Sequence, residues 1–122
     1  FLFKPPKEAL QMHYLSPKHL LVLGAGIMVL AGSARASQEH VVSQKNKAFS
    51  TKKLSVKVGD TVKFANEDSF AHNVFSLSPT KSFDTGSFGG GTSKSVTFDK
   101  PGKVEVECAV HPDMQLEIEV KP

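Results

Sequence analysis

From Leu54 onward, apolar and polar residues alternate with a period of two. Ser55 and Lys57 separate Leu54, Val56 and Val58, and beyond Gly59-Asp60 the residues Val62 and Phe64 flank Lys63. That period predicts half-buried strands whose alternate side chains face inward, with Gly59-Asp60 as a turn. A polar loop, Asn66-Glu67-Asp68-Ser69, leads to Phe70-Ala71-His72-Asn73-Val74-Phe75. Leu77 to Gly91, with Pro79, several glycines and many serines and threonines, reads as mostly loop. Alternation then returns. Val96 and Phe98 face in, Lys100-Pro101-Gly102 turns, and Val104, Val106 and Cys108 oppose Lys103, Glu105 and Glu107. At the end Met114, Leu116, Ile118 and Val120 oppose Gln115, Glu117, Glu119 and Lys121. Short strands, frequent turns and no helical period predict an all-β fold, an antiparallel β-sandwich.

The first third of the chain follows a different rule. Leu20 to Leu30 is an apolar run broken only by Gly24 and Gly26, preceded by Lys18-His19 and followed by Ala34-Arg35-Ala36. A basic flank, a short apolar segment and a small-x-small site predict a secretory signal peptide cleaved after Ala36. The competing reading is a membrane anchor, which needs about 20 apolar residues. The expected division is therefore 1–36, upstream residues and leader, and 37–122, one domain; Met12 reads as the start and Phe1–Gln11 as upstream sequence. In the domain, His40-Val41-Val42 is the only strand-like hint before Phe49, and His40 itself reads as solvated.

Charge changes the picture once the leader is set aside. The formal net charge of +3 invites a nucleic-acid reading. Yet Lys4, Lys7, Lys18, Arg35 and Glu8 all lie before residue 37, so eleven of the 15 basic and eleven of the 12 acidic residues remain beyond it. The domain is neutral, and no nucleic-acid partner is expected. Gly89-Gly90-Gly91-Thr92-Ser93-Lys94 lacks the Gly-Lys-Ser/Thr ending of a phosphate loop and reads as a turn.

The chemistry is concentrated in Cys108-Ala109-Val110-His111-Pro112-Asp113-Met114. A thiol, an imidazole and a thioether recur at three-residue intervals, with a second imidazole, His72, upstream. Thiolate and thioether are soft donors and imidazole is intermediate, a mixture that suits copper. Two His and one Cys with a weak axial Met form the donor set of a blue-copper electron-transfer site. Strand parity agrees, because Cys108 and Met114 both fall on the inward faces of their strands. The chain has one cysteine; in an exported protein it cannot close an internal disulfide, and metal ligation gives it a role that an inert buried thiol lacks. Pro112 fixes its own φ and stiffens the loop.

The same residues carry a resemblance. Cys108-x-x-His111-x-x-Met114 with His72-Asn73 upstream resembles the copper loop of the cupredoxins, the type 1 blue copper family of plastocyanin and amicyanin. The short His111-to-Met114 gap and the His111-Pro112 pair are similar to amicyanin. Val58-Gly59-Asp60-Thr61-Val62-Lys63-Phe64 resembles the family's second hairpin, and the likeness runs from about residue 48 to the C-terminus. It implies a Greek-key sandwich holding one copper through His72, Cys108, His111 and Met114. It also implies that Asn73 ties the two ligand-bearing loops together and that His111 reaches the surface, where Phe70, Ala71, Val110 and Pro112 can form an apolar collar. Glu107 departs from the family, which has an aromatic residue before the ligand Cys.

The expectation is thus an exported, periplasmic, monomeric copper protein, with no membrane attachment after cleavage. It would carry single electrons between redox partner proteins and would not be an enzyme. The alternative is a copper carrier or chaperone that delivers the ion to an oxidase. A fragment of a multicopper enzyme would need further histidines, and beyond the leader there are only His40, His72 and His111.

Overall fold

The computed structural model describes residues 34–122, with Gly26 and Gly32. Apart from Gly26, Gly32 and Ala34-Arg35-Ala36, the expected leader of residues 1–36, with its start at Met12, lies outside the described residues. Ala34–Pro122 forms one compact unit, and among the described residues no helix is long and apolar enough to cross a membrane.

Among the described residues nine strands follow in order: β1 Glu39–Lys45, β2 Ala48–Phe49, β3 Lys53–Lys57, β4 Thr61–Asn66, β5 Phe75–Ser78, β6 Lys81–Asp84, β7 Ser93–Thr97, β8 Gly102–Glu107 and β9 Gln115–Lys121. They build two sheets, β2-β1-β4-β7 and β3-β9-β8-β5-β6. The core between them contains Val42, Val56, Val62, Phe64, Val74, Phe98, Val104, Val106, Leu116, Ile118 and Val120, all buried. The parity expected for β4, β8 and β9 is the parity found. Each fully buried aliphatic or aromatic side chain contributes about 1.5–3 kcal/mol relative to exposure, so a one-residue slip of β9 would cost the core several of these at once.

The all-β two-sheet sandwich is as expected, but its sheets are mixed. β1 pairs parallel to β4, Glu39 opposite Thr61, and β3 pairs parallel to β9, Lys53 opposite Glu117. Period-two alternation fixes which face a strand turns inward and carries no information about its neighbour's direction. The reversal at Gly59-Asp60 is a second correction, because it closes no hairpin. It hands the chain from one sheet to the other, with β3 beside β9 and β4 between β1 and β7. Gly59 adopts φ +93°, open to glycine at little cost, and its amide bonds the Phe98 carbonyl. Val58, expected inward, sits on this corner and is exposed.

Two further elements differ from expectation. The stretch read as loop after Leu77 contains the β5–β6 hairpin, in which Leu77 points out and Ser76 is buried. Only Phe83 reaches inward from β6, its ring 6.5 Å from Phe64 and 6.1 Å from Phe98. His40 is not merely solvated. Its Nε2 lies 2.9 Å from Asp60, whose carboxylate also accepts bonds from Arg35, the Gln38 amide and the Lys57 amide. Arg35 first, then His40 and the two amides, hold the buried Asp60 carboxyl far below the usual range against the cost of burial.

Candidate metal centre

Two loops meet at one end of the sandwich. One, between β4 and β5, carries His72; the other, between β8 and β9, carries Cys108, His111 and Met114. His72 is fixed by a two-way backbone bridge, its amide to the Phe88 carbonyl and the Phe88 amide to its own carbonyl, at 3.1 and 2.8 Å. The Asn66 side chain braces the loop before it, donating to the carbonyls of Phe70 and Phe88 and accepting from the Asp68 amide. Across the gap, Asn73 Oδ1 accepts a 2.7 Å bond from the Ala109 amide. The second loop is closed by the Met114 amide on the His111 carbonyl at 2.9 Å.

These constraints bring three donor atoms together. His72 Nδ1 lies 3.2 Å from His111 Nδ1, and Cys108 Sγ lies 3.7 Å from the first and 4.0 Å from the second. An ion with bonds of about 2.0 Å to nitrogen and about 2.3 Å to sulfur in a trigonal plane would separate its nitrogens by roughly 3.5 Å and each nitrogen from sulfur by roughly 3.7 Å. The three atoms fit one small metal ion. Among the described residues they are the one group of His, Cys, Asp and Glu side chains so placed.

The four candidate donors differ in exposure. His72, Cys108 and Met114 are buried, and His111 is half-buried. The Phe70 ring lies against both imidazoles, with centroids 5.2 Å from His72 and 5.4 Å from His111. Phe70, Ala71, Val110 and Pro112 are all exposed. Lys47 Nζ stands 5.9 Å over the Phe70 ring.

One partner of the cluster was not anticipated from the sequence, where Asp68 reads only as part of a polar loop. Its Oδ2 lies 2.7 Å from His72 Nε2. The same carboxylate accepts bonds from the Asn46 and Lys47 amides at 2.7 and 3.2 Å. Both turn residues have positive φ, 53° and 57°, which aims successive amides at one acceptor. Burial opposes the charge on Asp68, but the bonds from His72, Asn46 and Lys47 and the attraction of the imidazole hold its carboxyl below the usual range. The available signal was the four-residue spacing from Asp68 to His72. Between loop residues, that spacing has no fixed geometric meaning.

A β-sandwich with a His-Cys-His cluster at one end, two donors buried and one at the rim, defines a mononuclear copper protein. The chain belongs to the plastocyanin/azurin family of copper binding proteins, whose family profile matches residues 36–121. Among solved structures it is similar to a reduced tryptophan-to-tyrosine variant of amicyanin, at 27% identity over 72% of this chain and 87% of that one, with TM-score 0.64. A Cu(I) methionine-to-alanine variant of amicyanin matches at 27% identity over 66% and 80%, with TM-score 0.62. The Cu-containing nitrite reductase from Thermus scotoductus SA-01 matches at 31% identity and TM-score 0.63, over 67% of this chain but only 22% of the reductase. No curated protein sequence matches the chain. The chain is therefore an amicyanin-like cupredoxin, a copper protein of electron transfer in the general sense, and its cluster is compatible with one type 1 copper ion.

Proposed function

We propose that the chain is an exported, periplasmic small blue copper protein that carries single electrons between redox partner proteins. His72, Cys108 and His111 would hold the ion, with Met114 as a further, weaker donor. Bound copper would supply the one-electron step between Cu(II) and Cu(I). The chain's part is to hold its donors still and to leave one near the surface. The observation that carries this reading is the convergence of Nδ1, Nδ1 and Sγ from two loops locked by Asn73.

Little needs to move for such a site to work. The bridge at Phe88, the Asn73–Ala109 bond and the His111–Met114 turn hold both loops to the sandwich. Rigidity of this kind limits reorganisation when the charge on the metal changes. The half-buried His111 beside Phe70 and Val110 offers a partner an apolar approach to a donor atom. The enclosure of Cys108 and His72 speaks against delivery of copper to an oxidase, since a carrier must release its ion readily. The reading assigns no catalytic step and has the protein work as a monomer.

Loading the chain with Cu(II) tests the proposal. A type 1 site gives an intense thiolate-to-copper band near the red end of the visible spectrum, and Cys108→Ser should remove it. Copper bound without that band would sink the assignment. Export is tested separately, by mass spectrometry of periplasmic material, which should find Ser37 as the first residue.

A further inference from the structure

Cys108, His72 and His111 account for the metal-facing side of the cluster, and its far side carries a charge. We propose that Asp68, clasped by the β1–β2 turn, is a positioning residue for His72: it fixes the imidazole tautomer that ligates copper and favours the oxidised ion. The inference rests on the copper reading and concerns what stands behind one ligand.

The tautomer follows from the partners. An ionised carboxylate can only accept hydrogen bonds, so at 2.7 Å from Asp68 Oδ2 the His72 Nε2 must donate. In a neutral imidazole the other nitrogen then carries the lone pair. That nitrogen, Nδ1, is the one facing Cys108 and His111. The His72 side chain is fully buried, so water cannot easily take over the role of Asp68.

Asp68 is itself held from behind. The Asn46 and Lys47 amides fix its two oxygens, and its own amide bonds Asn66 Oδ1. Gly90 lies against the Asp68 carbonyl so closely that any Cβ there would collide with it. A turn more than twenty residues upstream thus determines where the carboxylate sits, and through it the rotation of the His72 ring. Carboxylates in this position behind a ligating imidazole make it a stronger donor, and losing one commonly costs about 10–100-fold in metal affinity.

The charge acts unequally on the two oxidation states. One thiolate and two neutral imidazoles leave Cu(II) with a net charge of plus one and Cu(I) with none. A carboxylate behind His72 stabilises the first more than the second, and burial weakens the screening. Lys47 offsets this only in part, because it is exposed and stands beyond the Phe70 ring. A competing account is that Asp68 only caps the β1–β2 turn. In that case its charge would matter to stability and not to the metal.

Asp68→Asn keeps the shape and an acceptor oxygen and removes the charge. Voltammetry of the copper-loaded variant should show the potential raised, with the preference for Cu(II) weakened by about tenfold, which is about 59 mV for a one-electron couple. The visible band should persist and show that the site still forms. An intact band with an unchanged potential would overturn the proposal and leave Asp68 as a cap. A second measurement needs no variant. Nitrogen-15 NMR of the unmodified protein, metal-free or as diamagnetic Cu(I), should place a slowly exchanging proton on His72 Nε2; a proton on Nδ1 of the metal-free protein, or none on Nε2 of the Cu(I) form, would refute it. Failure of the wild type to give the band would instead count against the copper reading, while the metal-free spectrum still decides the tautomer.

Discussion

The Asn73 side chain and the Ala109 amide are joined by a 2.7 Å hydrogen bond that spans the two ligand-bearing loops. Asn73 is adjacent to His72 and Ala109 to Cys108, so one bond sets the distance between the first two donors. Asn73→Ala should leave that amide unpaired at a part-buried position, a loss of about 1–3 kcal/mol visible as a lower urea midpoint. The copper should also leave faster in competition with a chelator. Unchanged stability and unchanged release would show that the loops need no tie.

Met114 offers a separate test of the loop. Met114→Leu removes a weak donor to Cu(II) and should raise the reduction potential, whereas the harder amide oxygen of Met114→Gln should lower it. Voltammetry of both variants checks the order. Two values equal to the wild type would place the thioether away from the metal.

At the other end of β4, Asp60 predicts a pH dependence. Its folded-state value lies far below the ordinary 3.8 because of Arg35, His40 and two amides. A depressed carboxylate stabilises the fold above its unfolded value, and that contribution is lost as pH falls toward the folded one. The gap in melting temperature between wild type and Asp60→Asn should therefore be level above about pH 5 and shrink below about pH 4. Cleavage after Ala36, as proposed, would remove Arg35, so a processed form should show a weaker dependence than the uncleaved chain. An equal gap at every pH would mean that Asp60 does not act through its charge.

Gln44 is fully buried in β1, and among the described residues neither its Oε1 nor its Nε2 has a hydrogen-bond partner. An orphaned buried amide costs about 1–3 kcal/mol, and methionine is close to it in volume and flexible. Gln44→Met should raise the denaturation midpoint. A lower midpoint would show that the amide is satisfied by an internal water.

Much of this was legible in the sequence, and the reasons are specific. The parity of Val104, Val106 and Cys108 and of Met114, Leu116, Ile118 and Val120 needed only a strand's two-residue repeat. The donor types and their spacing gave the cluster, because three of its members lie within one loop. What escaped was set by tertiary contact. The parallel pairings of β1 with β4 and of β3 with β9 depend on where the chain changes sheets. The β5–β6 hairpin was hidden because Ser76 points in and Leu77 out, the reverse of the usual alternation. Asp68 was passed over because its partners, Asn46, Lys47 and His72, converge only after three separate segments fold together.

The uneven exposure of the donors has a consequence for traffic. With His72, Cys108 and Met114 enclosed and His111 at the rim, His111 would be the doorway of a carrier built this way, among the described residues. On the proposed electron-carrying reading, a donor and an acceptor that both approached through His111 would have to take turns. Such a protein would work as a courier and not as a cable. Its throughput is limited by how quickly it lets go of one client before meeting the next, so a grip that is too firm would slow the very delivery it serves.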